Sequence, residues 1–415
     1  MKVKIEPTKY LEGTIKISGS KNSCLPILAI SLLTNKRMLL SNVPMISDIY
    51  DMLEILKKLG VQVKISKDKK RISLKRKKVK NELLIEEVEK IRASYYVIPG
   101  MINKNNSIKI KYPGGCSFSK RPIDYHLNAL KNAGASVIEK ENIIEVRKKK
   151  IKNSVYSFPN PSVGATINSI MLSIITKGTS KIINQPIEPE IKDFINCLKK
   201  MGAKIYIDNK DIIVKGGKKL KSVSYNIMPD RIELGSYILL ASSIKSKVKL
   251  TNINSESIDY LLPYLDKLNI NYKLNKTNID IYGNSSVKNI NLIISHYPNF
   301  PTDLQQILCA LLFKANENSQ IKDEIYPKRI THVSELKKMG GNIKFQNDCI
   351  YITPTILEGS SLFAHDLRCG FSLILASVNA TSYSIIDNFQ VVNRGYEDII
   401  NKLNSINVNI KILKK

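Results

Sequence analysis

Cysteine is scarce and scattered. Cys24, Cys116, Cys197, Cys309, Cys349 and Cys369 are spread over 415 residues with no CxxC pair, which argues against a disulfide framework and against a zinc site. Most are expected to be reduced, several as small buried hydrophobes. Long apolar runs are also missing. No stretch reaches the roughly 18 to 20 uninterrupted apolar residues that span a bilayer, and MKVKIEPTKYLEG has no apolar core behind its first charges. These absences predict a soluble, cytoplasmic protein without a membrane partner. Acidic residues are the third shortage: 36 Asp and Glu face 65 Lys and Arg, a formal charge of +29. The basic runs KKLGVQVKISKDKKRISLKRKKVK, RKKKIK and GGKKLK carry no interleaved aromatics and no reader-domain signature, so a nucleic-acid partner is not expected. The excess reads as spread through the chain. It accompanies heavy use of Ile and Asn, which like Lys have A/T-rich codons, while a positive field would also attract anionic substrates.

What the chain does hold is an internal repeat, in a length that favours two or more domains. The pattern runs Leu56-Lys-Lys-Leu-Gly60, Leu130-Lys-Asn-Ala-Gly134, Leu198-Lys-Lys-Met-Gly202, Leu265-Asp-Lys-Leu-Asn269, Leu336-Lys-Lys-Met-Gly340 and Leu403-Asn-Ser-Ile-Asn407, at steps of 74, 68, 67, 71 and 67 residues. Each copy is a helix stop: apolar residues at i and i+3, then Gly or Asn, the two residues that best take the left-handed conformation. Alternating strands around a short polar turn follow the first five stops, as in VQVKIS then RISLK, and KIYID then DIIVK. The unit is therefore helix, strand, hairpin, strand. The sixth copy ends at NVNIKILKK without a return strand, and the N-terminal pair KVKIEPT and GTIKISG is expected to complete it. Six units divide three and three, with breaks near Ser18-Gly19-Ser20 and Ile227-Met228-Pro229-Asp230.

Chemistry-bearing residues sit at the joints of this pattern. Gly19-Ser-Lys-Asn-Ser-Cys places Lys21 where a strand gives way to a helix, a position suited to a phosphate or carboxylate, although a surface lysine beside a cap is the commoner outcome. In Tyr112-Pro-Gly-Gly-Cys-Ser-Phe-Ser-Lys-Arg-Pro-Ile-Asp-Tyr-His126, Cys116 follows two glycines and lies near Lys120 and Arg121, the setting of a reactive thiol on a loop. Asp303 in FPTDLQQ opens an apolar helix, and spacing alone favours an N-cap. Arg329, Arg368 and Arg394 lie near helix starts in one half of the chain and suggest an anion site.

The blocks SGSKNSCLPILA, NVPMISD, IRASYY, PGGCSFSKRPIDYHL, PSVGATINSIM, EPEI, PDRIELG, FPTDLQQ, RITHVSELKKMGG, HDLR and NRGYE, in this order along nearly the whole chain, resemble the UDP-N-acetylglucosamine 1-carboxyvinyltransferase family of enolpyruvyl transferases. Pro99 and the pair Ser119-Lys120 depart from the residues common there. The resemblance implies an α/β protein, a two-domain inverse α/β barrel. Residues 21–228 would form a first three-unit domain with the Cys116 loop, residues 1–20 and 229–415 a second, and the active site would lie in the cleft between them. It further implies transfer of enolpyruvyl from phosphoenolpyruvate to the 3′-hydroxyl of UDP-N-acetylglucosamine, without metal or organic cofactor. Cys116 resembles the family's acid and Asp303 its base. Lys21, Arg121 and Arg394 match the cations around phosphoenolpyruvate, with Arg92, Arg329 and Arg368 in support. Asn22, the segment Arg121, Pro122, Ile123, Asp124 and Tyr125, then Ser162, Val163, Gly164 and Ile325 match nucleotide contacts. Three rivals stay open: 5-enolpyruvylshikimate-3-phosphate synthase, a catalytically altered regulatory paralogue, and a nucleic-acid binder. The oligomeric state is not legible, with a monomer the default.

Overall fold

The computed structural model describes every residue except 115–122, 186, 187, 285, 414 and 415. All six helix stops hold a left-handed residue: φ is 95° at Gly60, 96° at Gly134, 91° at Gly202, 56° at Asn269, 80° at Gly340 and 68° at Asn407. The helices they end are Ser47–Lys58, Asp124–Asn132, Pro189–Lys200, Leu262–Lys267, Thr331–Lys338 and Ile399–Asn404. Left-handed backbone lets the chain turn back along the helix it has just left, and a strand begins within a few residues. Antiparallel hairpins follow five of the stops, among them Val61–Ile65 with Arg71–Arg76 and Lys204–Asp208 with Asp211–Gly216.

Each hairpin belongs to a four-stranded sheet, and there are six such sheets. In every one the return strand also pairs antiparallel with a further strand, and that strand has a parallel edge partner, as Ser107–Lys111 has Glu82–Leu83. The repeat unit is therefore richer than helix, strand, hairpin, strand; the edge partners, several only two to four residues long, are too short to show a period.

The fate of the N-terminal pair corrects the sequence expectation. Lys2–Ile5 supplies the missing return strand, antiparallel to Ile410–Leu413 on one side and Ser384–Asp387 on the other. Leu11–Lys16 goes to another sheet, parallel to Ser246–Thr251. Val223–Asn226 does the same job elsewhere, parallel to Met38–Ser41. The chain separates into two compact units, one built from Met1–Ser18 and Pro229–Lys415, the other from the described residues between 19 and 228. Each has its own apolar core. Helices Val163–Ile175, Arg231–Ser242 and Leu367–Val378 are buried almost all round, whereas the helices at the stops show one apolar face. The division also corrects the reading of the charge as evenly spread. Residues 19–228 hold 40 Lys and Arg against 17 Asp and Glu, the rest 25 against 19, so net charges of +23 and +6.

Buried polar groups tie the segments down. Asp193 accepts hydrogen bonds from the hydroxyls of Ser23 and Tyr225, the latter at 2.5 Å, and from the Met228 amide at 3.3 Å. Glu233 accepts from the Ser18 amide at 2.8 Å and from Lys402 Nζ at 2.6 Å. Burial raises both carboxyls. Each unit also buries one histidine. Asn168 Nδ2 lies 3.1 Å from His126 Nδ1, and since an amide nitrogen only donates, Nδ1 carries no proton. Burial pushes His126 and His332 down to about 3.

Below pH 6.5 the unfolded chain therefore takes up protons that the folded histidines refuse, and stability falls as pH drops from 6.5 toward 3. The effect is about 1.4 kcal/mol per pH unit for each histidine, while Asp193 and Glu233 act in the opposite sense. Urea unfolding at pH 7 and pH 5 should show His332→Gln losing roughly 2 kcal/mol less than the parent over that interval. Equal losses would mean that His332 is protonated in the fold.

Candidate active site

In the unit of residues 19–228, the functional positions gather at helix starts. Ser20 caps helix Lys21–Ala29, its hydroxyl accepting from the Ser23 amide at 3.3 Å, so Lys21 stands in the first turn with Asn22 exposed beside it. Lys21 Nζ lies 3.3 Å from Asp48 Oδ2, and both side chains are largely buried. Asp48 itself is in the first turn of Ser47–Lys58, where a carboxylate suits the helix dipole. Ser162 caps Val163–Ile175 and accepts from the Ala165 amide at 3.3 Å. A Cβ on Gly164 would lie 2.5 Å from the Tyr95 hydroxyl and 2.7 Å from His126 Cε1, so glycine is the only residue that fits there. His126 packs on Tyr95 with ring centroids 3.8 Å apart, and the Arg92 guanidinium sits 5.8 Å from the Tyr95 ring. Ile123 is buried, Asp124 is exposed in the first turn of Asp124–Asn132, and Tyr125 stacks on Phe158 at 5.6 Å. Cys116, Arg121 and Pro122 lie outside the described residues.

The other unit brings two of the predicted cations onto one carboxylate. Asp303 Oδ1 accepts from Arg329 Nη1 at 2.8 Å and Oδ2 from Arg368 Nη2 at 3.2 Å. The guanidiniums are nearly buried, while Asp303 keeps 28% of its side chain accessible. The helix-cap reading of Asp303 fails: Pro301 occupies the cap of the turn Thr302–Leu304, and the Asp303 carboxylate faces arginines. Arg329 Nη1 also donates to the Thr302 carbonyl at 2.7 Å. The Thr302 hydroxyl donates to Asp323 Oδ2 at 2.6 Å, and Asp323 Oδ1 accepts from the amides of Ile325 and Tyr326, both at 2.9 Å. Asp323 thus fixes the Ile325 turn and the residue beside Asp303 together.

Arg368 is held from both ends. Its amide donates to the capping carboxylate of Asp366 at 2.9 Å, and Nη1 donates to the Tyr396 hydroxyl at 2.9 Å. Burial opposes its charge, yet Tyr396, Asp303 and Asp230 reverse that and keep it firmly protonated. Tyr396 stacks on Phe371 at 4.6 Å and meets the Ser236 hydroxyl at 2.8 Å. Arg394 closes the turn Phe389–Arg394 that leads into Tyr396. Asp48, Tyr95, Asp323, Asp366 and Tyr396 were not singled out from sequence. Four of them lie inside the blocks NVPMISD, IRASYY, HDLR and NRGYE, but the side chains that Asp48, Tyr95 and Tyr396 meet, Lys21, His126 and Arg368, are tens of residues distant, as is the Thr331 hydroxyl that donates to Asp366. Two guanidiniums in low dielectric hold the accessible Asp303 carboxylate ionised, the form in which it has an oxygen free to meet a donor, and supply positive charge beside it.

A family model described as EPSP synthase (3-phosphoshikimate 1-carboxyvinyltransferase) matches residues 5–403. Two relatives carry the name UDP-N-acetylglucosamine 1-carboxyvinyltransferase. The one from Pelagibacter ubique is 38% identical over 413 residues, covering 99% of both chains. The one from Halothermothrix orenii is 36% identical over 408 residues, covering 97% of both. Among solved structures, the enolpyruvyl transferase NikO from Streptomyces tendae superposes with a TM-score of 0.88 at 17% identity, covering 99% of this chain and 98% of that one. An EPSP synthase from Acinetobacter baumannii reaches 0.79 at 15%, covering both chains fully. At such identities these structures speak for the fold, an inverse α/β barrel of repeated units. With its fold shared by enolpyruvyl transferases and its sequence shared end to end with the sugar-nucleotide enzymes, the chain belongs to the enolpyruvyl transferase family, with the UDP-N-acetylglucosamine 1-carboxyvinyltransferases as relatives.

Proposed function

We propose that the chain transfers the enolpyruvyl group of phosphoenolpyruvate to the 3′-hydroxyl of UDP-N-acetylglucosamine and releases phosphate, the committing step of peptidoglycan synthesis. The observation that carries this reading is the Asp303 carboxylate set between Arg329 and Arg368, in a chain matched over its whole length by enzymes of that name. Asp303 takes the proton of the sugar hydroxyl as its oxygen bonds to C2 of phosphoenolpyruvate, and Cys116 delivers a proton to C3. Loss of a C3 proton then re-forms the C2–C3 double bond and expels phosphate as the bond between C2 and the phosphate oxygen breaks. Lys21, Arg121 and Arg394 hold the phosphate and carboxylate, with Arg92, Arg329 and Arg368 in support; these fixed cations stabilise charge without reorganising. Asn22, Ile123 to Tyr125, Ser162 to Gly164 and Ile325 serve the nucleotide. The family model's description favours a second reading, with shikimate 3-phosphate as acceptor. Phosphate release with each acceptor separates the two.

Asp303→Ala should lower turnover by roughly 10²- to 10⁴-fold, as removal of a positioned base does. Asp303→Asn keeps the size of the side chain but offers one acceptor oxygen to two arginine donors, so it should lose as much turnover and also lower the urea midpoint. Near-normal phosphate release in Asp303→Asn would remove Asp303 from the chemistry.

Cys116 should be the one thiol alkylated rapidly by the epoxide antibiotic fosfomycin, faster when UDP-N-acetylglucosamine is present. The other five cysteines are buried. Burial pushes Cys197 and Cys369 up to about 12 and Cys24 and Cys309 higher still, so thiolate is scarce at all four. Intact mass and peptide mapping would decide; labelling spread over several cysteines, or an equally fast reaction in Cys116→Asp, would refute the assignment.

A further inference from the structure

Each repeat of the unit 19–228 carries the same four-residue pattern just after its return strand: Lys77-Lys-Val-Lys80 after Arg71–Arg76, Lys149-Lys-Ile-Lys152 after Ile143–Lys148 and Lys218-Lys-Leu-Lys221 after Asp211–Gly216. The backbone use is also the same. The last lysine of each strap donates its amide to the end of its own repeat's helix: Lys80 to the Leu59 carbonyl at 3.2 Å, Lys152 to Ala133 at 2.9 Å and Lys221 to Met201 at 2.9 Å. The apolar third residue points inward, with Val79 and Leu220 buried, while the lysines are exposed. The first two straps meet the segment after Ile98–Lys104: Asn105 Nδ2 donates to the Lys80 carbonyl at 3.3 Å, and the amide of Lys148, the residue before the second strap, to the Asn106 carbonyl at 2.7 Å. Lys104, at the end of Ile98–Lys104, is depressed by partial burial and then by Arg76, Lys148 and Lys219, one cation from each repeat. Arg76 Nε donates to the Thr34 carbonyl at 3.0 Å and the Thr34 hydroxyl to the Leu220 carbonyl at 3.0 Å, joining the first repeat to the third strap. Beside them runs a shallow groove of about 710 Å³ lined by Lys36, Arg37, Lys75, Ser222 and Leu39, the last 45% exposed.

Three ordinary explanations fall short. Lysines at a helix C-terminus complement its dipole, but the other unit makes the same backbone bond with different residues. There Lys288 donates to Leu268 at 3.0 Å and Glu358 to Met339 at 2.8 Å, in Ser286-Val-Lys288 and Ile356-Leu-Glu358. Codon bias acts on the whole gene, yet the net charge is +23 in one unit and +6 in the other. Substrate steering does not account for it either. Lys21 with Asp48, and Asp124 with Tyr125, lie at helix N-termini; the straps cross the C-termini of Ser47–Lys58 and Asp124–Asn132, roughly 18 Å away along the longer one.

We propose that this lysine-strapped end of the unit 19–228 is a docking surface for an anionic lipid bilayer. Its breadth, with one cluster per repeat rather than a linear track, suits a planar charged surface. The exposed apolar side chain in its groove is aliphatic Leu39, which suits a lipid interface better than base stacking. Among the described residues, Lys104, Lys149, Lys150, Lys218 and Lys219 form no ion pairs, so their charge is available to lipid phosphates. Docking through this end leaves the helix N-termini that carry Lys21 and Asp48 facing away from the membrane. Among the described residues no helix is long and apolar enough to cross a membrane, so the docking is peripheral.

The test is co-sedimentation of the full chain with phosphatidylcholine vesicles containing 30% phosphatidylglycerol, against phosphatidylcholine alone. Each cation near such a surface contributes about fivefold in partitioning, so K77Q/K104Q/K149Q/K219Q should bind several hundredfold more weakly. Binding should also vanish in 1 M salt. The matched variant K247Q/K249Q/K273Q/K276Q in the other unit removes the same charge and should bind as the parent does. Phosphate release in solution should be unchanged in both, so a failed enzymatic reading and a failed docking surface give separate signatures. Equal binding to neutral vesicles, equal loss in the matched variant, or preference for random-sequence DNA at the same phosphate concentration would overturn the proposal.

Discussion

The constraint on which the fold depends is the left-handed residue that ends each repeat's helix. An L-residue with a Cβ resists that conformation, so the sequence commits Gly or Asn at all six stops. Two of the glycines are held further by close approach. A Cβ would come within 2.1 Å of the Lys78 carbonyl oxygen at Gly60 and 2.3 Å of that of Lys150 at Gly134, whereas at Gly202 the nearest atom is 3.9 Å away on a flexible Lys221. At the first two stops the strap lies directly over the turn, and conformation and space both exclude a side chain. At the third, conformation alone does.

That constraint explains how much of the fold was legible. The stop carries an identity signal at a fixed distance from an apolar pair, and the hairpin after it alternates with period 2, so both survive reading by eye. The second antiparallel neighbour and the parallel edge strand do not. Val223–Asn226 and Leu11–Lys16 pair with strands more than 180 residues distant, and no local pattern reports a partner that far away. The N-terminal pair was misassigned for this reason: adjacency in sequence suggested one sheet, but Pro7 and the turn after it separate two strands bound for different sheets.

The site was legible by residue type and much less by partner. Asp303 stands near the start of a helix, where a cap is the natural inference, yet two arginines 26 and 65 residues further on claim its carboxylate. Each arginine is fixed by something else again: Arg329 by the Thr302 carbonyl, Arg368 by Tyr396 and by a backbone capped with Asp366. Asp323 joins this set through Thr302 while bracing the turn at Ile325. Buried charges are tolerated only when their hydrogen bonds are supplied, and the suppliers are serine, threonine, tyrosine and aspartate residues with no signature of their own. Sequence shows the charges that need support; the supports appear only once the chain is folded.

The same dependence on folded context governs the basic excess. Along the chain, KKVK, KKIK and KKLK look like three accidents of a lysine-rich composition. In the fold they occupy one structural position three times, each with its last amide on a helix end and its apolar residue turned inward, and the equivalent straps of the other unit are Ser286-Val-Lys288 and Ile356-Leu-Glu358. A duplicated architecture thus carries its own control. Backbone geometry fixes where the strap runs and demands only the inward apolar residue, leaving the outward positions free of structural duty. Positions so freed accumulate charge in one unit and not in the other, within one gene. Partial burial first, and then Arg76, Lys148 and Lys219, disfavour the charge of Lys104 in the folded state. An anionic surface beside these groups favours that charge instead.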